Sequence, residues 1–274
     1  MPETVLEKAR RFRALHEQSG AFVIANAWDG GSAQLLASLG FHAIATSSSA
    51  SASTFGRRDG MVTRKEALAQ ARTILLSTDL PVSADLEKGF GDSPEDAAET
   101  ILLAAEVGLV GGSIEDATRD LDRPIYDITH ATERIHAAAQ AARSLSFPFT
   151  LTARAENFLH DNYDLDETIE RLLAYEKAGA DVLFAPGLPD LDSVQKVCSA
   201  VSKPVNFMAG IKGKSFTVDE LEQAGVKRIS LAGSLYRAAM SGIYEAALEV
   251  KEKGTFGYLD RAMSTAQLYE YLKI

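Results

Sequence analysis

Short apolar runs alternate with longer segments of helical periodicity along the whole chain. Each run ends in turn residues and is followed by apolar positions three or four residues apart, the spacing of an amphipathic helix. Eight runs read as strands: 21–27, 42–48, 81–87, 111–116, 149–156, 181–186, 204–209 and 228–233. Mostly apolar strands alternating with helices predict a parallel sheet that is buried on both faces, and eight units close a (β/α)₈ barrel.

The alternative architecture is an open doubly wound sheet. That fold usually carries G-x-G-x-x-G after its first strand, and GGSAQLL, which follows Asp29, does not have this spacing. Several helical segments end in Ala-Gly or Leu-Gly just before the next strand, as expected for a glycine stop. The pattern therefore favours an α/β fold with a single TIM-type barrel.

No low-complexity linker divides the chain, so residues 1–274 are expected to form one barrel domain. The stretch SSSASAST, Ser47–Thr54, could be a flexible linker by composition alone. However, it directly follows the second strand, at the end where barrel enzymes carry their chemistry. Residues 236–274 contain more helix than barrel closure needs, and such extra amphipathic helix predicts contact with another subunit.

Composition excludes several classes of protein. The net charge of -10 and the lack of long basic runs argue against nucleic-acid binding. No apolar run approaches the roughly 20 residues of a membrane span, and the charged N-terminus does not resemble a signal peptide. The single cysteine, Cys198, excludes an intrachain disulfide framework and is expected to be a small core residue. These features predict a cytoplasmic protein that binds neither nucleic acid nor membrane.

Polar residues cluster at the predicted carboxyl ends of the strands. Because those ends meet at one mouth of a barrel, the side chains there can be collected without coordinates. They are Asn26, Asp29, Ser47, Ser48, Ser49, Asp85, Glu87, Glu115, Asp116, Arg154, Glu156 and Asn206. Strand alternation would point Asp85 and Glu87 to the same side.

An oxygen-rich cluster of this kind is typical of a Mg²⁺ site. Each acid taken alone could instead cap a helix or pair with Arg154 or Lys88. Three or more acids at one mouth repel one another unless a cation or an arginine lies among them, so the joint arrangement favours a charged partner more than any single acid does. The serines and Arg154 could hold a small carboxylate. A Ser-His-Asp hydrolase is not indicated, because G-x-S-x-G is absent and the five histidines are expected at the surface.

Four segments together resemble the isocitrate lyase and phosphoenolpyruvate mutase superfamily over nearly the whole chain. They are NAWDGGSAQLLASLGFHAIATSSSASASTFGRRDG, SADLEKGFGD, GGSIEDA and LTARAENF. The most specific elements are D-x-[DE]-x-G-[FY]-G and G-x-x-I-E-D. The resemblance implies a (β/α)₈ barrel whose last helix is exchanged between subunits of a tetramer or dimer. It also implies a Mg²⁺ site, or alternatively a Mn²⁺ site, for small 2-oxo acids.

The resemblance assigns roles to individual residues. Ser47, Ser48 and Ser49 would bind the substrate carboxylate, and Asp59 of GRRDG would lie near the water shell of the metal. Asp85, Glu87 and Glu115 would hold Mg²⁺, chiefly through water, with Asp85 also close to the substrate. Arg154 would contact the oxo or carboxylate oxygens, and Asn206 matches a substrate-contacting position of the lyase branch. Arg154, Asp59 and Glu115 are thus the expected catalytic residues.

The chain also departs from the superfamily patterns. The loop after the fourth strand reads DATRDLDRPIYDITHATERI, with neither the K-[KR]-C-G-H motif of the lyases nor the K-x-N-S motif of the phosphonate branch. Ala185 stands where the mutases tend to have histidine. We therefore expect a Mg²⁺-dependent enzyme that cleaves a C–C or P–C bond of a small 2-oxo acid, such as an oxaloacetate-type decarboxylase or hydrolase. The alternatives are a non-catalytic 2-oxo acid binding protein and a phosphonopyruvate-processing enzyme.

The loop from Ala117 to Thr132 is predicted to be a mobile lid. It is rich in Asp and Arg, is interrupted by Pro124 and follows Glu115 directly, so it has little with which to pack and lies over the mouth. Arg119 and Arg123 are the candidates for contacting a distal substrate carboxylate when the lid closes. The alternative is a solvated surface loop.

Overall fold

Eight parallel strands form a closed barrel in chain order, with β8 paired to β1. The computed structural model describes residues 3–214 and 216–272. The strands are β1 Phe22–Ala27, β2 Ile44–Thr46, β3 Val82–Asp85, β4 Gly111–Glu115, β5 Thr150–Arg154, β6 Val182–Phe184, β7 Val205–Met208 and β8 Arg228–Ser230. The predicted TIM-type barrel is confirmed, and all eight predicted strands are present in shorter form.

Helices follow the strands and surround the barrel. Within the described residues there are eleven α-helices: α1 Val5–Glu17, α2 Gly30–Ser38, α3 Ser48–Thr54, α4 Arg64–Leu76, α5 Pro94–Glu106, α6 Ile128–Ser144, α7 Leu165–Ala178, α8 Leu191–Ala200, α9 Val218–Gln223, α10 Ser234–Lys253 and α11 Thr265–Tyr271. Two 3₁₀ turns, Asn157–Leu159 and Gly257–Asp260, complete the secondary structure. The predicted glycine stops are confirmed: Gly40, Gly108, Gly179 and Gly225 follow α2, α5, α7 and α9 with φ between +86° and +108°.

The N-terminal helix α1 closes the bottom of the barrel. Its buried face carries Ala9, Phe12 and Leu15, which pack with Phe22 and Ile24 of β1. The remaining apolar side chains form one large core between the barrel and its surrounding helices. Burial of both faces explains why the strands are mostly apolar.

The serine-rich stretch is helical and not a linker. Ser47 lies one residue beyond β2 and accepts a hydrogen bond from the Ala50 N–H at 3.4 Å as the N-cap of α3. Ala50, Ser51 and Ala52 are buried. The short loop and helix therefore hold the three consecutive serines at the C-terminal mouth of the barrel.

The C-terminal helices are poorly covered by the rest of the chain, although α11 contacts α2. Helix α10 is twenty residues long and contains no buried residue. It exposes Met240, Ile243 and Tyr244, and further apolar side chains are exposed as far as Tyr269. Of the predicted region 236–274, Lys273 and Ile274 lie outside the described residues. None of the helices in the described parts of the chain is long and apolar enough to cross a membrane.

Candidate active site

A cavity of about 240 Å³ opens at the C-terminal mouth of the barrel. Its lining includes seven of the residues to which the family resemblance assigns a role: Ser47, Ser48, Ser49, Asp59, Asp85, Arg154 and Asn206. A larger cavity of about 450 Å³ lies at the opposite face, between α1 and the beginnings of β5 and β6, and contains none of them. The convergence of polar groups therefore identifies the smaller cavity as the candidate active site.

Arg154, at the end of β5, is the centre of the site. Its guanidinium donates to the Asp85 carboxylate at 2.9 Å through Nη1 and to Glu156 at 2.9 Å through Nε, and it lies 3.2 Å from Glu115. The ring of Phe184 covers one face of the guanidinium at 5.1 Å from its centroid. Although burial disfavours a charged arginine, Glu156, Glu115 and Asp85 raise the pKa of Arg154, so the guanidinium stays charged.

The carboxylates around Arg154 differ in their ease of ionisation. Burial would raise the pKa of Asp85, but Arg154 and the Ser48 N–H hold that pKa below its ordinary value. Burial raises the pKa of Glu115 well above its ordinary value, although Arg154 opposes the shift. The pKa of Glu156 is also raised by burial. The charge of Arg154 thus outweighs the cost of burying ionised Asp85, but it offsets that cost only in part for Glu115 and Glu156.

Glu87 reaches the site through a turn. Strand β3 ends at Asp85, so the prediction that strand alternation aligns Asp85 and Glu87 was wrong. Glu87 instead has a left-handed backbone with φ of 52°, and its N–H donates to Asp85 Oδ1 at 3.3 Å. Such a conformation is unfavourable for a non-glycine residue and concentrates at functional sites. Burial raises the pKa of Glu87 to about 7, against the opposing charge of Arg119.

The lid predicted after β4 supplies one of its two arginines to the site. Arg119 Nη2 donates to Glu87 Oε2 at 2.5 Å. Arg123 is largely exposed and faces Asp120 at 3.8 Å, so it does not reach the site. The loop ends at Asp127, because α6 already begins at Ile128, and the predicted boundary at Thr132 was therefore too late.

Gly60 of the GRRDG turn makes room for Arg119. Its φ is +80°, and a β-carbon there would lie 1.1 Å from Arg119 Nη1. Asp59, the adjacent residue, lines the cavity while remaining accessible to solvent. Partial removal from water and then the charge of Asp85 raise the pKa of Asp59. The GRRDG turn and the loop after β4 thus meet beside Glu87.

The serines lie beside the last barrel loop. The hydroxyls of Ser47 and Ser49 are 3.2 Å apart, and the Ser48 N–H donates to Asp85 at 3.2 Å. A β-carbon on Gly233 would lie 2.8 Å from Ser49 Oγ, so only glycine allows this close approach. The serines therefore face both the carboxylates and the start of α10.

Asn206 lies deeper than predicted. It is the second residue of β7, pairs in register with Arg228, the first residue of β8, and is buried in the barrel interior. His16 lies below them and is buried, so the prediction that all five histidines are at the surface was wrong. Burial and the charge of Arg228 lower the pKa of His16 to about 3.

A buried network behind the site holds β4 and β5 together. Asp116 accepts hydrogen bonds from Tyr175 Oη at 2.6 Å, from Arg171 at 3.2 Å and from the Glu156 N–H at 2.8 Å. Asp116 was collected from the sequence as a mouth residue, whereas it faces the surrounding helix α7. Its role is to fix the backbone that carries Glu156, and through it Arg154.

The oxygen donors at the mouth suit a hydrated divalent cation better than a direct cage. Among residues 3–214 and 216–272, no three His, Cys, Asp or Glu side chains are arranged to enclose a metal ion. Five carboxylates nevertheless surround two arginines, which leaves three negative charges uncompensated when all are ionised: Asp59, Asp85, Glu87, Glu115 and Glu156 against Arg119 and Arg154. Burial is the main cause of the raised pKa values at four of the five, and repulsion from neighbouring carboxylates adds to it. A hard cation would relieve that repulsion.

Comparison with known proteins identifies the family to which the chain belongs. Residues 12–251 match the phosphoenolpyruvate phosphomutase family. A candidate lyase/mutase from Burkholderia cenocepacia J2315 is 49% identical, with a TM-score of 0.97 over 98% of this chain and 97% of that chain. Oxaloacetate acetylhydrolase, solved with its product oxalate, is 25% identical, with a TM-score of 0.88 over 98% and 94%. The 2-methylisocitrate lyase of Escherichia coli (strain K12) is 28% identical over 95% of this chain and 90% of its own.

The fold and the converging charges define a class of (β/α)₈-barrel enzyme with a carboxylate-rich C-terminal mouth. The chain belongs to the phosphoenolpyruvate phosphomutase family, within the isocitrate lyase and phosphoenolpyruvate mutase superfamily of C–C and P–C bond-cleaving enzymes. The resemblance seen in the sequence motifs is thereby confirmed.

Proposed function

We propose that this protein is a Mg²⁺-dependent enzyme that cleaves a C–C bond of a small 2-oxo dicarboxylic acid of the oxaloacetate type, either the bond between the carbonyl carbon and the methylene group (hydrolysis) or the bond to the distal carboxylate (decarboxylation). The observation that carries the proposal is the contact of buried, charged Arg154 with Asp85 in a cavity of about 240 Å³. That volume suits a substrate of a few carbon atoms. The oxaloacetate acetylhydrolase relative adds support for a 2-oxo dicarboxylate.

Each side chain has a proposed role. Arg154 would bind the 2-oxo or 1-carboxylate oxygen and stabilise the negative charge that develops as the bond breaks. Ser47 and Ser49, with free hydroxyl capacity at the rim, would hold the carboxylate. The loop after β4 contains no cysteine of the lyase type, so a cysteine acid from that loop is not available to the reaction.

The metal proposal rests on the donor set and on the charge excess at the mouth. Asp85, Glu87 and Glu115 would hold Mg²⁺ chiefly through water, with Asp59 near its water shell; Mn²⁺ offers the same preference for oxygen ligands. The ion would supply Lewis-acid polarisation of the carbonyl when bound. The chain's own contribution is to keep Asp85 ionised and oriented through Arg154 and the Ser48 N–H.

The test is a mass-spectrometric assay with Mg²⁺ and three acids: oxaloacetate, phosphonopyruvate and pyruvate. Hydrolysis of oxaloacetate takes up one water and gives oxalate and acetate, whereas decarboxylation gives pyruvate and carbon dioxide. We expect one of these product sets from oxaloacetate and none from pyruvate. Asp85→Ala should lower turnover by at least about 100-fold, the scale seen when one group that stabilises transition-state charge is lost.

Controls make the assay decisive. Asp79→Ala changes an exposed acid before β3, at the opposite face, and should leave turnover unchanged. Full activity in EDTA would contradict the metal dependence. Depletion of phosphonopyruvate alone would favour the phosphonate branch, and binding of oxaloacetate without any product would favour a non-catalytic binding protein.

Within this proposal, Arg119 is the lid residue that recognises the distal carboxylate. Its guanidinium reaches Glu87, whereas Arg123 stays outside the site. Arg119→Ala should raise the apparent KM for oxaloacetate far more than Arg123→Ala, which serves as the matched control. Equal effects of the two variants would leave the loop without a role in recognition.

We also propose that the exposed apolar side chains of α10 contact a second copy of the chain. Ile243 is 60% exposed and Tyr244 67% exposed, and neighbouring apolar residues extend the surface along the C-terminal helices. Light scattering should find a dimer or tetramer, and Ile243→Ser with Tyr244→Ser should reduce its mass. Leu121→Ser, at an exposed apolar lid position, is the control that should not. A monomeric wild type would contradict this proposal.

A further inference from the structure

Arg228 is a buried arginine without a carboxylate partner among the described residues. It lies at the start of β8, points into the barrel and is only 5% exposed. Its three contacts are all with neutral groups: Asn206 Oδ1 at 2.8 Å, Thr152 Oγ1 at 3.0 Å and His16 Nε2 at 3.4 Å. Burial lowers the pKa of Arg228 to about 9, with no acid to oppose the shift. A buried charge of this kind is unfavourable unless something compensates it.

The cavity at the mouth reaches down to this charge. Arg228 lines it together with Asn206 and Ser230. Of the five N–H groups of its guanidinium, the three contacts use one on each nitrogen, so two N–H donors remain. An anion that enters the cavity is therefore a possible counter-charge that the protein itself does not provide.

Arg228 also fixes the orientation of Asn206. Because arginine only donates, its Nε must contact the carboxamide oxygen, which turns the Asn206 nitrogen the other way. That nitrogen donates to Ser230 Oγ at 3.0 Å and keeps a second N–H. Without Arg228 the carboxamide could turn over and present its oxygen to an anion.

We propose that Arg228 is a positioning and specificity-determining residue: it holds the Asn206 nitrogen toward the cavity, and its unpaired charge favours substrates with two negative charges over those with one. This inference rests on the proposed function, since it concerns the same cavity. The end of the cavity next to Arg228 would then discriminate dianions from monoanions.

The experiment is calorimetric titration, in the presence of Mg²⁺, with oxalate as the dianion and pyruvate as the monoanion. Arg228→Met should weaken oxalate binding by roughly 10- to 100-fold, the range for loss of a hydrogen bond to a charged group, and pyruvate binding much less. Arg228→Lys keeps the charge and should retain most of the preference for oxalate. Thr152→Val removes a neutral partner of Arg228 and should leave the preference unchanged while it lowers thermal stability.

Asn206→Asp separates recognition from stability. It places a carboxylate against Arg228 and should fold at least as stably as Asn206→Ala, yet it should bind oxalate more weakly than Asn206→Ala does, because the charge is already compensated. Equal or tighter oxalate binding by Asn206→Asp would overturn the inference, because a carboxylate that compensates Arg228 would then cost nothing in anion binding. This comparison decides the question even where Arg228→Met does not fold.

The outcomes distinguish this inference from the proposed reaction. Oxalate binding that depends on Arg228, in a protein that does not consume oxaloacetate, supports the inference and overturns the proposed reaction. Oxaloacetate turnover with unchanged oxalate preference in Arg228→Met and Asn206→Asp overturns the inference alone. Failure of the wild type to bind oxalate overturns the inference, whatever the outcome of the oxaloacetate assay.

Discussion

Protonation of His16 should make the native barrel unstable in mild acid. The ring is 7% exposed, contacts the Phe12 carbonyl at 2.9 Å through Nδ1, and packs edge to face against Phe12 and Phe22. Its other nitrogen is 3.4 Å from the Arg228 guanidinium. A proton on that nitrogen would remove an acceptor and place two positive charges together in the barrel, with Lys227 adding to the repulsion.

The size of the effect follows from the two pKa values. Burial and then Arg228 lower the pKa of native His16 from 6.5 to about 3, so the unfolded chain binds this proton first as the pH falls. The corresponding stability is therefore fully present above pH 6.5 and is lost progressively toward pH 3. At about 1.4 kcal/mol per pH unit, the loss reaches roughly 2.7 kcal/mol by about pH 4.5 and on the order of 5 kcal/mol by about pH 3.

Urea denaturation of wild type and His16→Gln, at one protein concentration and several pH values, measures this contribution. Glutamine can replace both hydrogen-bonding functions but does not titrate. We expect the variant to be less stable at about pH 7.5, by about 1–3 kcal/mol from lost ring packing, and to lose less stability on acidification. The difference between the two proteins should narrow by roughly 2–3 kcal/mol between about pH 7.5 and pH 4.5.

The control is His136→Gln on the exposed surface of α6, which should follow the wild-type pH dependence. Glu87, whose pKa burial raises to about 7, is present in both proteins, so the difference in stability between wild type and His16→Gln isolates the contribution of His16. A constant difference between wild type and His16→Gln across this range would refute the reasoning.

Two further predictions follow from the lid and from the network behind the site. Gly60→Ala should displace Arg119 and raise the apparent KM for oxaloacetate, because the added β-carbon would lie 1.1 Å from Arg119 Nη1. The control is Gly56→Ala, which has a φ of +67° but no atom within 4 Å and so reproduces the backbone strain alone. Equal KM values for the two variants would contradict this. Tyr175→Phe removes a 2.6 Å hydrogen bond to buried Asp116 and should lower the free energy of unfolding by about 1–3 kcal/mol in urea denaturation, whereas an unchanged midpoint would show that the hydroxyl is dispensable.

The barrel and the upper half of the site could be predicted because they depend on regular geometry. Eight apolar runs with intervening helical periodicity set the strand number, and parallel strands bring their carboxyl ends together whatever the loops do. Ser47, Asp85 and Arg154 lie within one residue of a strand end, so this rule locates them correctly. The direction predicted for the Glu87 side chain was wrong because Glu87 lies two residues past the end of β3. There the backbone of the turn, and not strand alternation, sets the direction of the side chain.

The lower half of the site, formed by His16, Asn206 and Arg228 inside the barrel, could not be predicted because it depends on packing between distant segments. His16 belongs to a helix with charged neighbours, and nothing in its local sequence shows that the ring lies beneath the barrel. Arg228 begins a strand, a position where a charged side chain usually points to solvent. Its direction becomes clear only when β8 pairs with both β1 and β7 and the barrel closes.

The distribution of charge explains how an acidic protein can bind an anion. The chain carries a net charge of -10, yet the charged side chains that line the cavity are three arginines and two aspartates: Arg154, Arg228, Arg237, Asp59 and Asp85. The three glutamates of the cluster, Glu87, Glu115 and Glu156, are not part of the lining. An entering dianion therefore meets a lining with one net positive charge before any metal is counted, and a cation held by the carboxylates would increase that charge. Binding of an anion here depends on which charges face the cavity, and the overall charge of the chain does not determine it.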